Sequence, residues 1–113
     1  MEIDEMNLRK ITAIIRSERL EDVEKQLQNA GVKGLSVSKV KGYGEYANFF
    51  THDWMVTHAR IEIFTDTDNA ERIAGVIMEA AHGAGEGDGI IALLPVEKVY
   101  RIRTKQEAIA GEL

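Results

Sequence analysis

Apolar and polar residues alternate along three stretches of this chain, and the alternation predicts β-strands. The stretches are residues 7–16, 34–41 and 60–64. In the first of them Ile11, Ala13 and Ile15 fall on one face, because successive side chains of a strand point to opposite sides. Ile14 adds an apolar residue to the other face, so we predict that this strand is largely buried.

Two further stretches repeat apolar residues at every third or fourth position, which predicts amphipathic helices. The first begins after Ser17, a residue type favoured at the N-cap, and ends before Gly31, which suits the position after a helix. The second covers residues 70–81. Asp68 and Glu71 have the spacing of a capping box at its start.

The last third of the chain begins with a glycine-rich loop, residues 83–89. The apolar run at residues 90–94 predicts a fully buried strand, and residues 100–103 predict a short strand. Residues 104–113 form a tail with some helical tendency and little to anchor it.

The element order is therefore β-α-β, a loop, and β-α-β again. This order predicts an α+β fold, the ferredoxin-like βαββαβ sandwich, as a single domain over residues 1–113. Two helices would cover one face of a four-stranded antiparallel sheet. A chain this small often covers the other face by oligomerising, commonly as a closed ring.

Charge and composition exclude several classes of function for this chain. The formal net charge of -5 argues against general nucleic-acid binding, which needs a basic surface. The chain has no cysteine, so disulfides, thiolate metal sites and cysteine nucleophiles are excluded. No apolar run is long enough to span a bilayer, and residues 1–6 lack a signal-peptide pattern. These features predict a cytoplasmic domain that is not embedded in a membrane.

The glycine-rich loop and two arginines together predict a phosphate site. Glycines let backbone N–H groups approach an anion, and Arg101 and Arg103 would share one face of an extended segment. The loop is not followed by the Gly-Lys-Ser/Thr of a P-loop NTPase. Surface ion pairs for the arginines and a plain hairpin for the glycines are the alternative interpretations.

Four stretches also resemble the PII family of signal-transduction proteins. They are Arg-Lys-Ile-Thr-Ala-Ile-Ile-Arg at residues 9–16, Val-Lys-Gly-Tyr-Gly at 40–44, Arg-Ile-Glu-Ile at 60–63, and Gly-Asp-Gly at 87–89 with Arg-Ile-Arg-Thr at 101–104. The last stretch is the most specific, and the resemblance covers nearly the whole chain.

The resemblance implies a homotrimer that binds ATP or ADP between subunits, often with 2-oxoglutarate. It implies regulation of a target transporter or enzyme, as in nitrogen metabolism, and no catalytic activity. By position, the nucleotide site would comprise Ile14, Ser36, Gly42, Gly44, Glu62, Gly87, Asp88, Gly89, Arg101 and Arg103. Glu62 and Asp88 would then serve binding or structure and not acid–base catalysis.

The chain differs from the family at two positions where the family has positively charged side chains. Ile90 and His58 stand where the family has lysines that face the phosphates. Fewer ammonium groups favour a nucleotide with fewer phosphates, so ADP or AMP is predicted ahead of ATP. Glu45 and Tyr46 replace an Arg-Gln pair, which disfavours 2-oxoglutarate. The alternative is a divergent PII-like sensor of ADP or AMP with bicarbonate, or a trimer associated with metal transport.

The loop at residues 44–57 is shorter than the family's and rich in aromatic residues. Partner binding is predicted for Tyr46, Phe49, Phe50 and Trp54. An equally open interpretation is a loop folded back over its own trimer. His52, Asp53 and His58 match no strong metal motif, so no metal or other cofactor is predicted.

Overall fold

The computed structural model of the chain describes residues 7–42, 56–83, 85 and 87–113. Its elements are β1 (Leu8–Arg16), a 3-10 turn (Ser17–Arg19), α1 (Leu20–Asn29), β2 (Ser36–Gly42), β3 (Val56–Asp66), α2 (Thr67–Ala81), β4 (Gly89–Val96), β5 (Tyr100–Arg101) and β6 (Gln106–Glu107). The predicted order of strands and helices is confirmed.

Strands β1 to β4 form one antiparallel sheet in the order β2-β3-β1-β4. The central pair, β1 and β3, is in register with Ile11 opposite Ile63 and Ala13 opposite Ile61. With two helices packed on the sheet, this is the predicted ferredoxin-like α+β sandwich. Strands β2 and β4 are its two edges.

Side-chain alternation gives the sheet two different faces. Both helices pack on one of them, which we call the helix-covered face. Its buried strand residues are Ile11, Ala13, Ile15, Ala59, Ile61 and Ile63. The helices contribute Val23, Leu27, Ile73 and Ile77 to the same core. The opposite face, called the open face, includes Lys10, Thr12, Ile14, Ser36, Ser38, Arg60, Glu62, Phe64, Ile90, Ala92 and Leu94.

Strand β4 corrects one prediction. The apolar run at residues 90–94 was expected to be fully buried, but β4 is an edge strand with one face on the core. Ile91 and Leu93 pack against the core, whereas Ile90 is 43% and Leu94 42% exposed. Hydrophobicity marks this segment as a strand, but does not reveal that the described structure covers only one of its faces.

The helix starts also differ from prediction. Ser17 does not cap α1; it opens the 3-10 turn, and its hydroxyl donates to the carbonyl oxygen of Thr57 at 3.3 Å. The N-cap of α2 is Asp66, whose carboxylate accepts from the backbone N–H of Asn69 at 2.8 Å. The prediction of a capping box formed by Asp68 and Glu71 is therefore wrong, because α2 already begins at Thr67.

The end of α1 follows the prediction for Gly31. The helix stops at Asn29, and Gly31 adopts φ +89°, a backbone conformation that favours glycine. The N–H of Gly31 donates to Gln28 O at 3.1 Å and that of Val32 to Leu27 O at 3.0 Å. These two bonds form a Schellman motif, which satisfies carbonyls that the helix end leaves free.

A small hairpin replaces the predicted strand at residues 100–103 and the helical tail. Strands β5 and β6 pair Tyr100 with Glu107 and Arg101 with Gln106, and residues 102–105 form the turn between them. The tail is anchored after all, since Ala108 is 2% exposed and its N–H donates to Val99 O at 2.8 Å.

Candidate functional site

A pocket of about 380 Å³ lies beside strand β2 and brings together Ser36, Glu62 and Arg101, three of the residues predicted to bind nucleotide. Ser36 and Glu62 are register partners on β2 and β3, and both point to the open face. Lys33, Gly34, Leu35, Phe64, Glu112 and Leu113 complete the lining. We call this space the β2 pocket. It combines an aromatic ring and aliphatic groups with charges of both signs.

The carboxylate of Glu62 is already neutralised within the chain. Lys10, on the neighbouring strand β1, places its Nζ 2.6 Å from Glu62 Oε2. The hydrogen bond from Lys10 lowers the pKa of Glu62 below its ordinary 4.5; burial opposes this, and the charges of Lys10 and Arg60 reinforce it. Glu62 is therefore ionised at neutral pH, and Lys10 contributes to this site although it was not among the predicted site residues.

The two arginines of the predicted phosphate site are separated by the hairpin. Arg101 lies on β5 and lines the β2 pocket, and its Nη2 donates to the carbonyl oxygen of Glu112 at 3.2 Å. Arg103 lies in the exposed turn after β5. The expectation that both share one face of an extended segment is wrong, because the chain turns directly after Arg101.

The glycine-rich loop lies at the other edge of the sheet, before β4. There the Asp88 carboxylate accepts from the backbone N–H of Gly83 at 3.1 Å and from Arg16 Nε at 3.4 Å. His82 Nδ1 lies 3.4 Å from Asp88 Oδ2, the oxygen that also accepts from Gly83. Asp88 thus ties the start of the loop to its end and to β1, and its carboxylate is engaged by the protein.

Backbone conformation accounts for the glycines of this loop. Gly83, Gly85, Gly87 and Gly89 all have positive φ angles. At Gly89 the requirement is also steric, because a Cβ would collide with the carbonyl oxygen of Ile14. The density of glycines therefore has a conformational cause, and ligand binding at the loop needs separate support.

A second pocket, of about 400 Å³, lies behind the loop between the end of α2 and the start of β4. Its lining includes Ile77, Met78, His82, Asp88 and Gly89. Ile90 lines it as well, at the position where the family resemblance places a lysine. The described chain thus offers an aliphatic side chain at this position beside the loop.

The predicted nucleotide residues are spread across the sheet, and two groups of them lie at its opposite edges. Ser36 is on edge strand β2, whereas Gly89 begins edge strand β4, and three strand spacings of about 4.8 Å separate these edges. Ile14 lies between them on β1, and the buried Gly42 ends β2. Across the strands, these two groups of predicted residues, which we call half-sites of the predicted site, are roughly 14 Å apart. Gly89 is also offset from Ser36 by three residues along the strands.

Several predictions fall outside the described residues. They concern Gly44, Glu45, Tyr46, Phe49, Phe50, Trp54, His52 and Asp53. His58 is described and lies in β3, where it is 3% exposed. Among the described residues, no group of three or more histidine, aspartate or glutamate side chains is placed to hold a metal ion. No helix within the described ranges is long and apolar enough to cross a membrane.

The sequence reasoning missed the residues that hold the predicted ones in place. Arg16 donates to Asp88 and His82 lies beside it, Lys10 pairs with Glu62, and Glu112 accepts from Arg101. For Lys10 a signal existed, since it shares the polar face of β1 with Thr12. In the pairing of β1 with β3, Lys10 is opposite Phe64, and Glu62 is its diagonal neighbour. A single sequence does not reveal this pairing.

Comparison with known proteins supports the same fold and regulatory class. The sequence model of the family described as Nitrogen regulatory protein P-II matches residues 8–106. Nitrogen regulatory protein P-II 1 of Methanothermobacter thermautotrophicus is 40% identical over 104 residues, covering 86% of this chain and 90% of that protein. Nitrogen regulatory protein P-II homolog of Arabidopsis thaliana is 32% identical over 117 residues, covering 92% of this chain and 60% of that protein.

A solved structure agrees with this match. The crystal structure of Arabidopsis thaliana PII bound to citrate superposes with a TM-score of 0.78 at 34% identity, covering 90% of this chain and 89% of that chain. Fold and sequence together define a regulatory signal-transduction protein. The chain belongs to the Nitrogen regulatory protein P-II family, as its motifs indicated.

Proposed function

We propose that this chain is a P-II-type sensor that binds an adenine nucleotide between neighbouring copies of itself. Nucleotide occupancy would change the loop at residues 44–57, which would then bind or release a transporter or enzyme. This mechanism is a population shift, in which the ligand stabilises one loop conformation over another. The loop's role rests on family membership, since residues 43–55 are outside the described structure.

The observation that carries the proposal is the placement of the two half-sites. The β2 pocket, with Arg101, lies at one edge of the sheet, and the glycine-rich loop lies at the other. A contact between two different edges is a head-to-tail contact, and such contacts generate rings when the rotation closes. In a homotrimer of this kind, each β2 pocket would meet the glycine-rich loop of the next copy.

The open face supplies a further reason for association. It presents Phe64, Ile90 and Leu94, each more than 40% exposed in the described chain. Burial of such apolar surface between copies is favourable by about 25 cal/mol for each Å² removed from water. Sedimentation equilibrium tests the oligomer directly, and a monomer at micromolar concentration would contradict the proposed ring.

The charge of the half-sites favours ADP or AMP. Ile90 supplies no cation beside the glycine-rich loop, and Asp88 there is already engaged by Arg16. Each additional phosphate adds negative charge that needs a cationic partner, so a triphosphate loses most from the missing ammonium groups. ATP remains compatible with the site where another copy supplies cations.

Calorimetric titration of ATP, ADP and AMP tests the nucleotide proposal. Arg101→Ala should weaken ADP binding about tenfold or more, because a hydrogen bond to a charged group contributes roughly 1.5–3 kcal/mol. The matched control is Lys25→Ala, which removes the same charge from an exposed position of α1. Equal affinity in the wild type and Arg101→Ala would contradict a role for Arg101 in the site.

A small anion is the proposed second ligand, and two candidates are distinguishable. The similar Arabidopsis protein was crystallised with citrate, which shows that a PII protein can hold a polycarboxylate. The acidic Glu45 and the missing lysine at Ile90 favour bicarbonate, a smaller monoanion, over 2-oxoglutarate in this chain. Each titration should therefore be repeated with either anion. Enhancement of ATP binding by 2-oxoglutarate would identify a standard nitrogen sensor and overturn the preference for ADP or AMP.

A further inference from the structure

The segment at residues 109–113 has a defined fold against the β5–β6 hairpin. It follows the buried Ala108, and the N–H of Glu112 donates to Ile109 O at 3.1 Å. The Glu112 side chain closes the same turn, because its Oε1 accepts from the N–H of Ile109 at 2.6 Å. Glu112 therefore occupies a defined position beside the hairpin.

That position is at the β2 pocket. Glu112 lines the pocket together with Arg101, and its carbonyl oxygen accepts from Arg101 Nη2. This contact occupies one of the five N–H donors of the Arg101 guanidinium, and a phosphate that binds Arg101 shares the guanidinium with it. Glu112 also brings a carboxylate, within the reach of its own side chain, to a pocket whose cationic side chains are Lys33 and Arg101.

The charges of the pocket show why Glu112 matters more than Glu62. The Glu62 carboxylate is paired with Lys10, so its charge is compensated locally. Glu112 instead accepts from a neutral backbone N–H, which leaves its full negative charge in place. An incoming anion is repelled by that charge, and the repulsion grows with the charge of the ligand.

We infer that Glu112 is an internal competitor of phosphate for Arg101 and that it restrains the nucleotide affinity of the β2 pocket. The carbonyl contact and the carboxylate charge act in the same direction. The effect is largest for the most highly charged nucleotide, so Glu112 selects for ligands with few phosphates. This inference rests on the proposed nucleotide function and names a specificity-determining residue for it.

Glu112→Gln tests the inference with little structural change. Glutamine retains an oxygen that can accept from Ile109 N–H, and the backbone carbonyl remains, so the substitution removes the charge alone. The control is Glu107→Gln, which removes the same charge from exposed strand β6 of the same hairpin, outside the β2 pocket. Truncation after Ala110 is a second variant that also removes the carbonyl contact.

Calorimetric titration measures the affinity for ADP and ATP of four proteins: the wild type, Glu112→Gln, Glu107→Gln and the truncated chain. We expect Glu112→Gln to bind ADP about three- to tenfold more tightly, with a larger gain for ATP, and the truncation to gain at least as much. Glu107→Gln should match the wild type. Binding by Glu112→Gln where the wild type shows none would support the inference equally.

Two outcomes would overturn it. If the wild type binds ADP and Glu112→Gln binds with the same affinity, or if both glutamine variants gain equally, Glu112 is no competitor and the proposed function stands. If neither the wild type nor the Glu112 variants bind nucleotide at millimolar concentration, the inference fails together with the proposed function. The wild-type titration separates these two cases.

Discussion

The two faces of the sheet are built from the same strands but have different physical characters. On the helix-covered face, Ile11, Ile61 and Ile63 are at most 2% exposed and pack against both helices. On the open face, the alternating positions carry Phe64, Ile90 and Leu94 at 42–45% exposure, interspersed with the Lys10–Glu62 ion pair. One face holds the subunit together, and the other leaves apolar and charged side chains exposed.

The contrast shows where the sequence constrains fold and where it constrains function. A residue on the helix-covered face is fixed by packing, because a close-packed core tolerates little change of volume. Within the subunit, close packing does not restrict the volume of the exposed side chains on the open face in this way. Their mixture of charge and exposed apolar surface is what the proposed association of copies would use.

The largest expected effect tests this contrast directly. Ile61→Ala on the helix-covered face should lower the free energy of unfolding by about 3 kcal/mol, because it leaves a cavity beside both helices. Ile90→Ala on the open face should lower it by less than about 1 kcal/mol in the isolated subunit. Urea unfolding at several protein concentrations measures both. A loss for Ile90→Ala that grows with protein concentration would place its side chain between copies.

A somewhat smaller effect is expected where the glycine-rich loop joins β4. Gly89→Ala should lower stability by about 2 kcal/mol, since the new Cβ meets the Ile14 carbonyl at a positive φ. Gly75→Ala in α2 is the matched control, because nothing lies within 4 Å of a Cβ there. That control should stabilise the protein by about 0.5–1 kcal/mol. Thermal unfolding that ranks the two variants in the opposite order would contradict the backbone argument.

The smallest effect concerns pH and the ion pair on the open face. Because the pKa of Glu62 is lowered on folding, its pairing with Lys10 stabilises the protein fully above pH 4.5 and less as pH falls through the lower folded pKa. Lys10→Met should therefore lower stability by less than about 1 kcal/mol at pH 7, and by less still at pH 3. Lys25→Met on exposed α1 is the control for charge. A difference from wild type that is constant across this pH range would contradict the role of the pair.

Much of the fold was accessible from the sequence, because periodicity reports which side of an element is buried. The residues at positions 11, 13 and 15 identified the core face of β1, and Gly31 marked the end of α1. The position of a strand within the sheet was not accessible, as β4 shows. An apolar run predicts a strand, whereas its place at an edge depends on pairing with β1.

The site was harder to predict because it depends on turns and on contacts between distant residues. Ser36, Glu62 and Arg101 do converge, although the extended geometry assumed for Arg101 and Arg103 was wrong. The turn at residues 102–105 includes Lys105 at φ 59°, a conformation rare for a residue other than glycine. Because the chain turns there, the rule that residues i and i+2 of a strand share one face does not apply to Arg101 and Arg103. Nothing in the neighbouring sequence indicates that Glu112 contacts Arg101.

Pro95 in edge strand β4 has a consequence for solubility. An exposed edge with apolar residues such as Leu94 is a template on which further strands can pair without limit. Proline has no N–H, and in a strand it is tolerated where that position faces away from the existing ladder. Pro95 is opposite Arg9 of β1, which lies on the inner side of β4. On the outer side, Pro95 thus offers no N–H donor to a strand that would extend the sheet. The chain can keep an apolar edge for specific contacts while resisting fibrous aggregation along it.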